Sequence, residues 1–575
     1  EEQEGRSSVS TRSSTMLLLR KALPIQRFRA PFSTVVDDSI SAWTTSFLNA
    51  TADIRSDVPF EDSANRLREL VKTDLLRATD IQEHPERFFA AHRMLARHCV
   101  EHGPGFWIRF TVHYNLFGGT ILAVGTEEQV AELAVYQKKG QLGCFSLTEK
   151  FAGVQSGLIV ETTATYDENE KVFVLNTPHE GARKNWISQG FVADKTVVLA
   201  DLVVKGKSLG PHAFVMDFRQ GGVLVPGVTV ADMGEKTVRR NVRGCFCAHF
   251  LNHVLNHSPQ PLTTLTDVVG QQVGNDLDNA QISFDHVKLP RSALLSKNAD
   301  VSPQGHYELK ETSAAASTGK VAPFVMIGQR LYTGRVCVAQ AALEYRKTLF
   351  ARVKAHSDAK VTYGGAGGSA RALSEIPQLR TLYEENAARC GEIEAFVTSC
   401  ESALSESLKS GLVPSETLAD AIAVAKVVAV EDSIAWCHRL KQEVGSIALM
   451  ADSGFKHLDF LQCCKFAEGD SRILMQKLAR DRFKRFQAEH KSLRQSGGGG
   501  GGGQTPQAPH EDSEATVVSL EEMGAEEAAC AALAKGIESH QGACTKAEAW
   551  DAEWKNVYKL AEAVMGRIQR DDISK

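Results

Sequence analysis

Residues 60 to about 139 carry a helical pattern of hydrophobic positions. Apolar side chains recur at spacings of three and four, as at Leu67, Leu70 and Val71, with polar residues between them. This period places the apolar side chains on one face of a helix. The pattern therefore predicts amphipathic helices over this segment.

The period changes at Cys144. Short β-branched or alternating runs follow, for example over 196–204, and Gly, Pro and Asn or Asp residues separate them. Such runs predict a mainly antiparallel β-domain of about 150 residues. After Pro323 the helical period returns and continues to about Arg494, and the long apolar run of 419–444 suits the core of a helical bundle.

These changes predict a multi-domain α+β protein. The expected parts are a leader (1–35), an N-terminal helical domain (36–143), a β-domain (144–305), a C-terminal helical bundle (306–495), a glycine-rich linker (496–512) and a helical tail (513–575). The linker contains seven consecutive glycines at 497–503 and cannot pack. In the tail, Trp550 and Trp554 share a helix face. That face would either dock a partner or pack onto the parent domain.

Composition narrows the classes of protein. A hydrophobic fraction of 43% and a charged fraction of 23% are typical of a globular protein. The net charge of −5 comes without a long basic block, so we expect no nucleic-acid partner. No apolar run reaches the roughly 20 residues that span a bilayer, so we expect no membrane span.

Both ends of the chain contain residues that resemble targeting signals. The stretch from Met16 is rich in Arg and free of acids before Asp37, the composition of a mitochondrial presequence. The last three residues, Ile573 to Lys575, stop one leucine short of the peroxisomal Ser-Lys-Leu signal, which we interpret as coincidence. We therefore expect a mitochondrial protein, with a peroxisomal location as the alternative.

The segment 239–273 fits neither period. It holds five potential zinc ligands within thirteen residues: Cys245, Cys247, His249, His253 and His257. Small zinc modules usually place two ligand pairs around a longer loop, so we expect no metal site. A surface insertion or a mis-spliced segment explains this atypical insert better.

A series of short motifs carries the chemistry. They read Gly-Cys-Phe-Ser-Leu-Thr-Glu (143–149), Glu-Thr-Thr-Ala-Thr-Tyr-Asp (161–167), Lys-Asn-Trp-Ile-Ser (184–188), Leu-Asp-Asn (277–279) and Val-Lys-Leu-Pro-Arg (287–291). In order, in spacing and in the helix–β–helix layout, the chain resembles the acyl-CoA oxidase and acyl-CoA dehydrogenase superfamily over about 60–486. The resemblance implies FAD-dependent α,β-dehydrogenation of an acyl-CoA thioester to trans-2-enoyl-CoA in fatty-acid β-oxidation. It also implies a homodimer or a dimer of dimers.

The resemblance assigns the catalytic base to Glu468. The segment 466–471 reads Phe-Ala-Glu-Gly-Asp-Ser and matches the family's Glu-Gly signature before the last core helix. The backbone N–H of Glu468 would donate to the thioester carbonyl, and Gly469 would let the backbone approach the substrate. Without the other motifs, Glu468 would be read as an acid that opens a helix.

The resemblance also assigns contacts with FAD. Thr148 would face the edge of the flavin ring, Trp186 would pack against the ring, and Ser188 would reach its N5 side. Considered alone, Trp186 would be read as ordinary core. A second group would hold the FAD of the partner subunit: Arg352, Gln442, Gly445 and Ser446.

Two departures from the family pattern, at Val154 and Ser446, concern the binding of cofactor or CoA. Val154 stands where the family usually has a Ser that contacts cofactor or CoA, and Ser446 replaces the second glycine of the pyrophosphate turn. Both changes predict weaker binding of FAD or CoA.

Two functions stay open. The first is an enzyme, either an oxidase or a dehydrogenase that passes electrons to an electron-transfer flavoprotein. The second is a non-catalytic subunit or assembly factor of a mitochondrial complex, for which the tail would be a docking element.

Overall fold

The computed structural model describes residues 38–55, 58–152, 160–233, 277–310, 323–363, 369–450, 452–496, 524–540 and 542–573. The insert at 239–273, Val154 and the five candidate zinc ligands lie outside these residues. Residues 43–575 form one compact unit, and residues 1–42 form another, of which only the beginning of the first helix is described.

Helices come first along the chain. They are α1 (Asp38–Ala50), α2 (Phe60–Lys72), α3 (Asp80–Glu83), α4 (Pro85–His102), α5 (Gly105–Thr111), a π-helix (Val112–Gly118), α6 (Gly119–Val124) and α7 (Glu127–Lys139). A capping box at Thr126 and Gln129 begins α7, and Gly140 in the left-handed region ends it. The π-helix is noteworthy because single π-turns often occur at functional sites.

The β-region contains a six-stranded and a three-stranded sheet. Its strands are β1 (Gly143–Ser146), β2 (Thr163–Asp167), β3 (Val172–Asn176), β4 (Lys184–Ser188), β5 (Lys195–Val204), β6 (Lys207–Asp217), β7 (Arg219–Gln220), β8 (Val223–Leu224), β9 (Val228–Asp232), β10 (Asn279–Phe284), β11 (Val287–Pro290), β12 (Ala299–Val301) and β13 (Tyr307–Leu309). The larger sheet has the order β1-β5-β2-β3-β11, with β6 beside β5, and the smaller one has the order β4-β10-β9. Strand β5 pairs parallel with β1 and β2, and the other pairs are antiparallel.

The C-terminal bundle contains long helices and a short one. They are α8 (Pro323–Ala359), α9 (Pro377–Lys409), α10 (Glu416–Glu443), α11 (Phe460–Phe466) and α12 (Ser471–Ser496), with a β14 (Val361–Tyr363) and β15 (Ala370–Ala372) hairpin between α8 and α9. Helix α10 is buried over about two and a half turns, from residue 422 to residue 430. The multi-domain α+β fold class is therefore confirmed.

The tail packs on the bundle. Its helices are α13 (Ala525–Ser539), α14 (Lys546–Ala552) and α15 (Trp554–Ile573). Leu533 and Leu560 belong to the same buried core as the bundle, and the ring of Trp550 lies 6.1 Å from that of Phe483 on α12. Trp554 is 55% exposed. Of the two tryptophans, Trp550 therefore packs onto the parent domain.

No described helix is both long enough and apolar enough to cross a bilayer.

Candidate active site

Glu468 lies in a tight loop between α11 and α12. Its backbone φ is +57°, and that of Gly469 is +99°. A non-glycine residue in this region costs on the order of 1–3 kcal/mol and persists where the surroundings hold it in place. Because Glu468 precedes the helix and its carboxylate faces the interior, it does not act as an acid that opens α12. We call residues 465–471 the base loop.

The carboxylate of Glu468 occupies a pocket that satisfies it only in part. Its Oε2 atom is buried and has no hydrogen-bond partner among the described residues. Gly334 on α8 makes the room, because a Cβ at that position would lie 2.2 Å from the carboxyl carbon of Glu468. Asn115 on the π-helix supplies a side-chain hydrogen bond to the carboxyl group and accepts one from the Thr333 hydroxyl at 2.6 Å.

This environment changes the acidity of Glu468. Burial raises its pKa from an ordinary 4.5 to about 7, and the charges of Arg335 and Lys426 and the Asn115 hydrogen bond oppose the shift only in part. A general base works best when its pKa lies near the working pH. The pKa of Glu468 therefore lies in the range that suits a general base near neutral pH.

The backbone of the base loop is held from both sides. Arg335 Nε donates to the Glu468 carbonyl at 3.0 Å. Lys426 Nζ donates to the carbonyls of Lys465 at 2.6 Å and Gly469 at 3.0 Å. The N–H of Glu468 has no partner within the described part of the chain, so it remains available as a donor.

The β-region presents a ledge of polar and aromatic residues, formed by the exposed Thr148 and Trp186 and the half-buried Ser188. Thr148 accepts a hydrogen bond through its carbonyl from the N–H of Asn185 at 2.8 Å, which joins two parts of the ledge. Trp186 is 53% exposed and has a φ of +58°. The Ser188 hydroxyl donates to Asn279 at 2.9 Å. Trp186 is thus not a core residue, and the ledge offers an exposed, flat aromatic surface and the exposed Thr148.

A buried ion pair supports this ledge from below. Lys184 Nζ lies 2.8 Å from Glu149 Oε1, and both side chains are almost fully buried. Glu149 also accepts from the N–H groups of Glu161 at 2.7 Å and Thr162 at 3.0 Å, and from the Thr162 hydroxyl at 2.7 Å. Glu149 directly follows Thr148 in the sequence, and Lys184 directly precedes Asn185 and Trp186. The ion pair therefore fixes the positions of both segments that form the ledge.

The second predicted group lies elsewhere. Gln442, Gly445 and Ser446 are exposed at the carboxyl end of α10. Gln442 follows Lys426 by sixteen residues, so a helical rise of 1.5 Å per residue separates them by about 24 Å. Arg352 is also exposed and donates to the Asp452 carbonyl at 2.5 Å. The structure does not bring this group to the base loop.

Several residues of the site escaped the sequence analysis: Asn115, Thr333, Gly334, Arg335, Lys426 and the Glu149–Lys184 pair. One signal was present for Lys426, which is a single cation inside an otherwise apolar stretch of a core helix. The others are separated in sequence from Glu468 by more than 130 residues or belong to the β-region, and no local pattern marks them.

Comparisons with known proteins place this geometry in context. No family model matches the chain. Acyl-coenzyme A oxidase 2 of Yarrowia lipolytica is 34% identical over 210 residues, which are 35% of this chain and 25% of that protein. A peroxisomal acyl-coenzyme A oxidase 3 of Arabidopsis thaliana is 30% identical over 41% of this chain and 29% of its own length. The matched segments thus span only about a quarter of these relatives.

Solved structures match more of the chain. Acyl-CoA oxidase-2 of Caenorhabditis elegans, bound with FAD, ascaroside-CoA and ATP, superimposes with a TM-score of 0.68 at 15% identity. The match covers 94% of this chain and 76% of that protein. The chain therefore has the acyl-CoA oxidase fold, and the predicted resemblance to the acyl-CoA oxidase and acyl-CoA dehydrogenase superfamily is confirmed.

Proposed function

We propose that this protein catalyses the FAD-dependent α,β-dehydrogenation of an acyl-CoA thioester to a trans-2-enoyl-CoA. The observation that carries the proposal is the Glu468 carboxylate, which is buried, lacks a partner at Oε2 and has a pKa raised to about 7. A solvated carboxylate is too weak a base for a thioester α-proton, whereas a carboxylate without solvent is suited to this step. The likeness to acyl-CoA oxidases supports the same reaction.

The chain's own residues define the proton step. Glu468 would accept the proton from Cα, and its backbone N–H would donate to the thioester oxygen, on which negative charge develops. The ledge residues Thr148, Trp186 and Ser188 fit the edge and face of a flavin ring, because the exposed indole of Trp186 lies on the same ledge as the exposed Thr148 and the half-buried Ser188. Bound FAD would supply the acceptor for the hydride from Cβ.

We propose a homodimer as the functional unit. The residues assigned to the FAD pyrophosphate, Gln442, Gly445 and Ser446, lie about 24 Å along α10 from the lysine that holds the base loop. They would therefore serve the cofactor of a second copy. The mass of the FAD-loaded protein in solution tests this, and a monomer that retains FAD would contradict it.

We propose molecular oxygen as the oxidant and the peroxisome as the location. The matched relatives carry oxidase in their names, and one of them is named as peroxisomal. This favours the peroxisomal alternative over the mitochondrial one, and an oxidase over a dehydrogenase that reduces an electron-transfer flavoprotein. Hydrogen peroxide formed in step with enoyl-CoA is the expected result, whereas dye reduction without peroxide would indicate a dehydrogenase.

A visible spectrum tests the function directly. The purified chain, mixed with FAD, should show flavin bands, and octanoyl-CoA or hexadecanoyl-CoA should bleach them under anaerobic conditions. A protein that stays colourless with added FAD would instead support the non-catalytic subunit or assembly factor. The buried base argues against that alternative, because a buried carboxylate oxygen such as Oε2, without a partner among the described residues, is costly to keep where no chemistry uses it.

A further inference from the structure

Lys426 is a cation within the most apolar part of the bundle. It lies on α10 among residues 422–430, all of which are buried, and it is itself 0% exposed. Burying an ammonium group is costly unless hydrogen bonds compensate it. The contacts of Lys426 must therefore compensate the burial of its charge.

Three hydrogen bonds compensate the buried ammonium group of Lys426. The ammonium donates to the Lys465 carbonyl, the Gly469 carbonyl and the Ser471 hydroxyl, the last at 3.2 Å. A lysine has three donors, and all three are used. Lys465 lies at the end of α11, Gly469 directly follows the base, and Ser471 begins α12. One ammonium group therefore joins both ends of the base loop.

We propose that Lys426 is the positioning residue for the general base. By holding the carbonyls on both sides of Glu468, it keeps this residue in its left-handed backbone conformation and aims both its carboxylate and its N–H at the substrate. The inference rests on the proposed function and deepens it, because it names what holds the base in place.

Charge gives Lys426 a second effect on the same residue. The groups that act on Glu468 are Arg335 from α8, Lys426 from α10 and the Asn115 amide from the π-helix. Both cations lower the pKa of the carboxyl group against the effect of burial. Removal of the Lys426 charge should therefore raise the pKa of Glu468 further, so that the base stays protonated to higher pH.

Lys426 is also subject to titration. Burial lowers its pKa to about 8, while the groups of Cys464, Asp470 and Glu431 raise it and Arg335 lowers it. As pH rises through this value the ammonium loses its proton, so its charge no longer acts on the base loop. The flavin reduction rate should then show an alkaline limb near this pH in addition to an acid limb set by Glu468.

Three substitutions separate the contributions of charge and shape. Lys426→Arg keeps the charge, Lys426→Gln keeps N–H donors without charge, and Lys426→Met removes both. Lys477→Met is the matched control, since Lys477 lies on α12 of the same bundle and its ion pairs among the described residues are with Asp420 and Asp481, away from the base loop. Equilibrium unfolding and FAD content of each variant report on folding.

The test is anaerobic flavin reduction by octanoyl-CoA and hexadecanoyl-CoA between pH 6 and 9.5, with the FAD-loaded full chain. We expect Lys426→Gln to be about 100-fold slower, as for a misplaced catalytic group. Its acid limb should lie about one pH unit higher than that of the unchanged protein. Lys426→Arg should retain the acid limb and lose the alkaline limb. If Lys426→Met does not fold, Lys426→Gln alone decides the question.

The outcomes distinguish the two levels of the proposal. Failure of acyl-CoA to bleach the unchanged protein would overturn the proposed function and the inference together. Bleaching by the unchanged protein, with the same rate and acid limb in Lys426→Gln, would overturn the inference alone. If Lys426→Gln lowers the free energy of unfolding but leaves the kinetics unchanged, Lys426 contributes only to packing. This result would also overturn the inference.

Discussion

Two buried glutamates, one in the bundle and one in the β-region, have opposite surroundings. Glu149 accepts hydrogen bonds from two backbone N–H groups and one hydroxyl and pairs with Lys184, so its carboxylate is fully compensated. Glu468 has a buried oxygen without any partner in the described residues. A compensated carboxylate fixes structure, whereas an under-compensated one retains the capacity to take a proton.

The two buried lysines show the same contrast. Burial lowers the pKa of each to about 8. Lys184 has a carboxylate partner, and its pair supports the ledge. Lys426 instead bonds neutral oxygens of the base loop and leaves its charge to act on Glu468. Loss of the first should affect cofactor binding and stability, and loss of the second should affect the chemistry.

The largest expected effect is at the base itself. Glu468→Gln removes the proton acceptor while keeping size and shape. We expect it to retain FAD but to lose about 10⁴-fold in the rate of flavin reduction by octanoyl-CoA, the upper range for a general base. Stopped-flow absorbance measures the rate. Normal reduction in this variant would refute the assignment of the base.

The next largest effect is expected at the compensated glutamate. Glu149→Gln leaves Lys184 buried without its partner charge, so we expect the free energy of unfolding to fall by about 3–5 kcal/mol. FAD should also be retained less well because the ledge loses its support. Urea unfolding and the ratio of flavin to protein absorbance measure the two effects.

Glu180→Gln is the matched surface control for that change. Glu180 pairs with Lys150 where it is largely exposed. Water and salt screen an exposed pair of this kind, so its loss should hardly change the free energy of unfolding. Equal effects of the two substitutions would contradict the structural role of Glu149.

A smaller effect should follow from filling the space beside the base. Gly334→Ala places a methyl group 2.2 Å from the present position of the Glu468 carboxyl carbon, so the carboxylate must move. A displacement of about 1 Å costs about 100-fold in rate. Flavin reduction should fall accordingly while FAD remains bound. Gly391→Ala is the control, because a Cβ at that position on α9 has no neighbour within 4 Å.

The smallest effect concerns pH. Since the base must be deprotonated and its pKa is raised to about 7, kcat/KM should fall about tenfold per pH unit below this value. Above this pH kcat/KM should level off, until the alkaline limb that we expect from Lys426 near pH 8 begins. FAD content measured across the same range controls for loss of cofactor. An acid limb near 4.5, the ordinary value for Glu, would show that the buried environment does not persist in solution.

The spacing of hydrophobic residues predicted the fold class well. Helical spacing persists over many residues in the two helical regions, and alternation persists over the β-region. The Glu-Gly signature also singled out Glu468, whose role as the base stays a prediction and whose carboxylate has a buried oxygen and a raised pKa. Asn115 and Gly334 could not be predicted, because they reach the base through contacts between segments that are far apart in sequence. Trp186 illustrates the opposite difficulty. From its residue type alone Trp186 would be predicted to lie in the core. Its backbone, however, has a positive φ, and its side chain is exposed.

The central claim is that Glu468 removes the α-proton of an acyl-CoA. A 3-thia-acyl-CoA isolates this step, because a sulfur atom in place of Cβ leaves no β-hydride to transfer. In D₂O, the FAD-loaded protein should exchange the α-protons of this analogue for deuterium, as measured by proton NMR, and Glu468→Gln should not. Equal exchange by both proteins, or none by the unchanged protein with the analogue bound, would contradict the account.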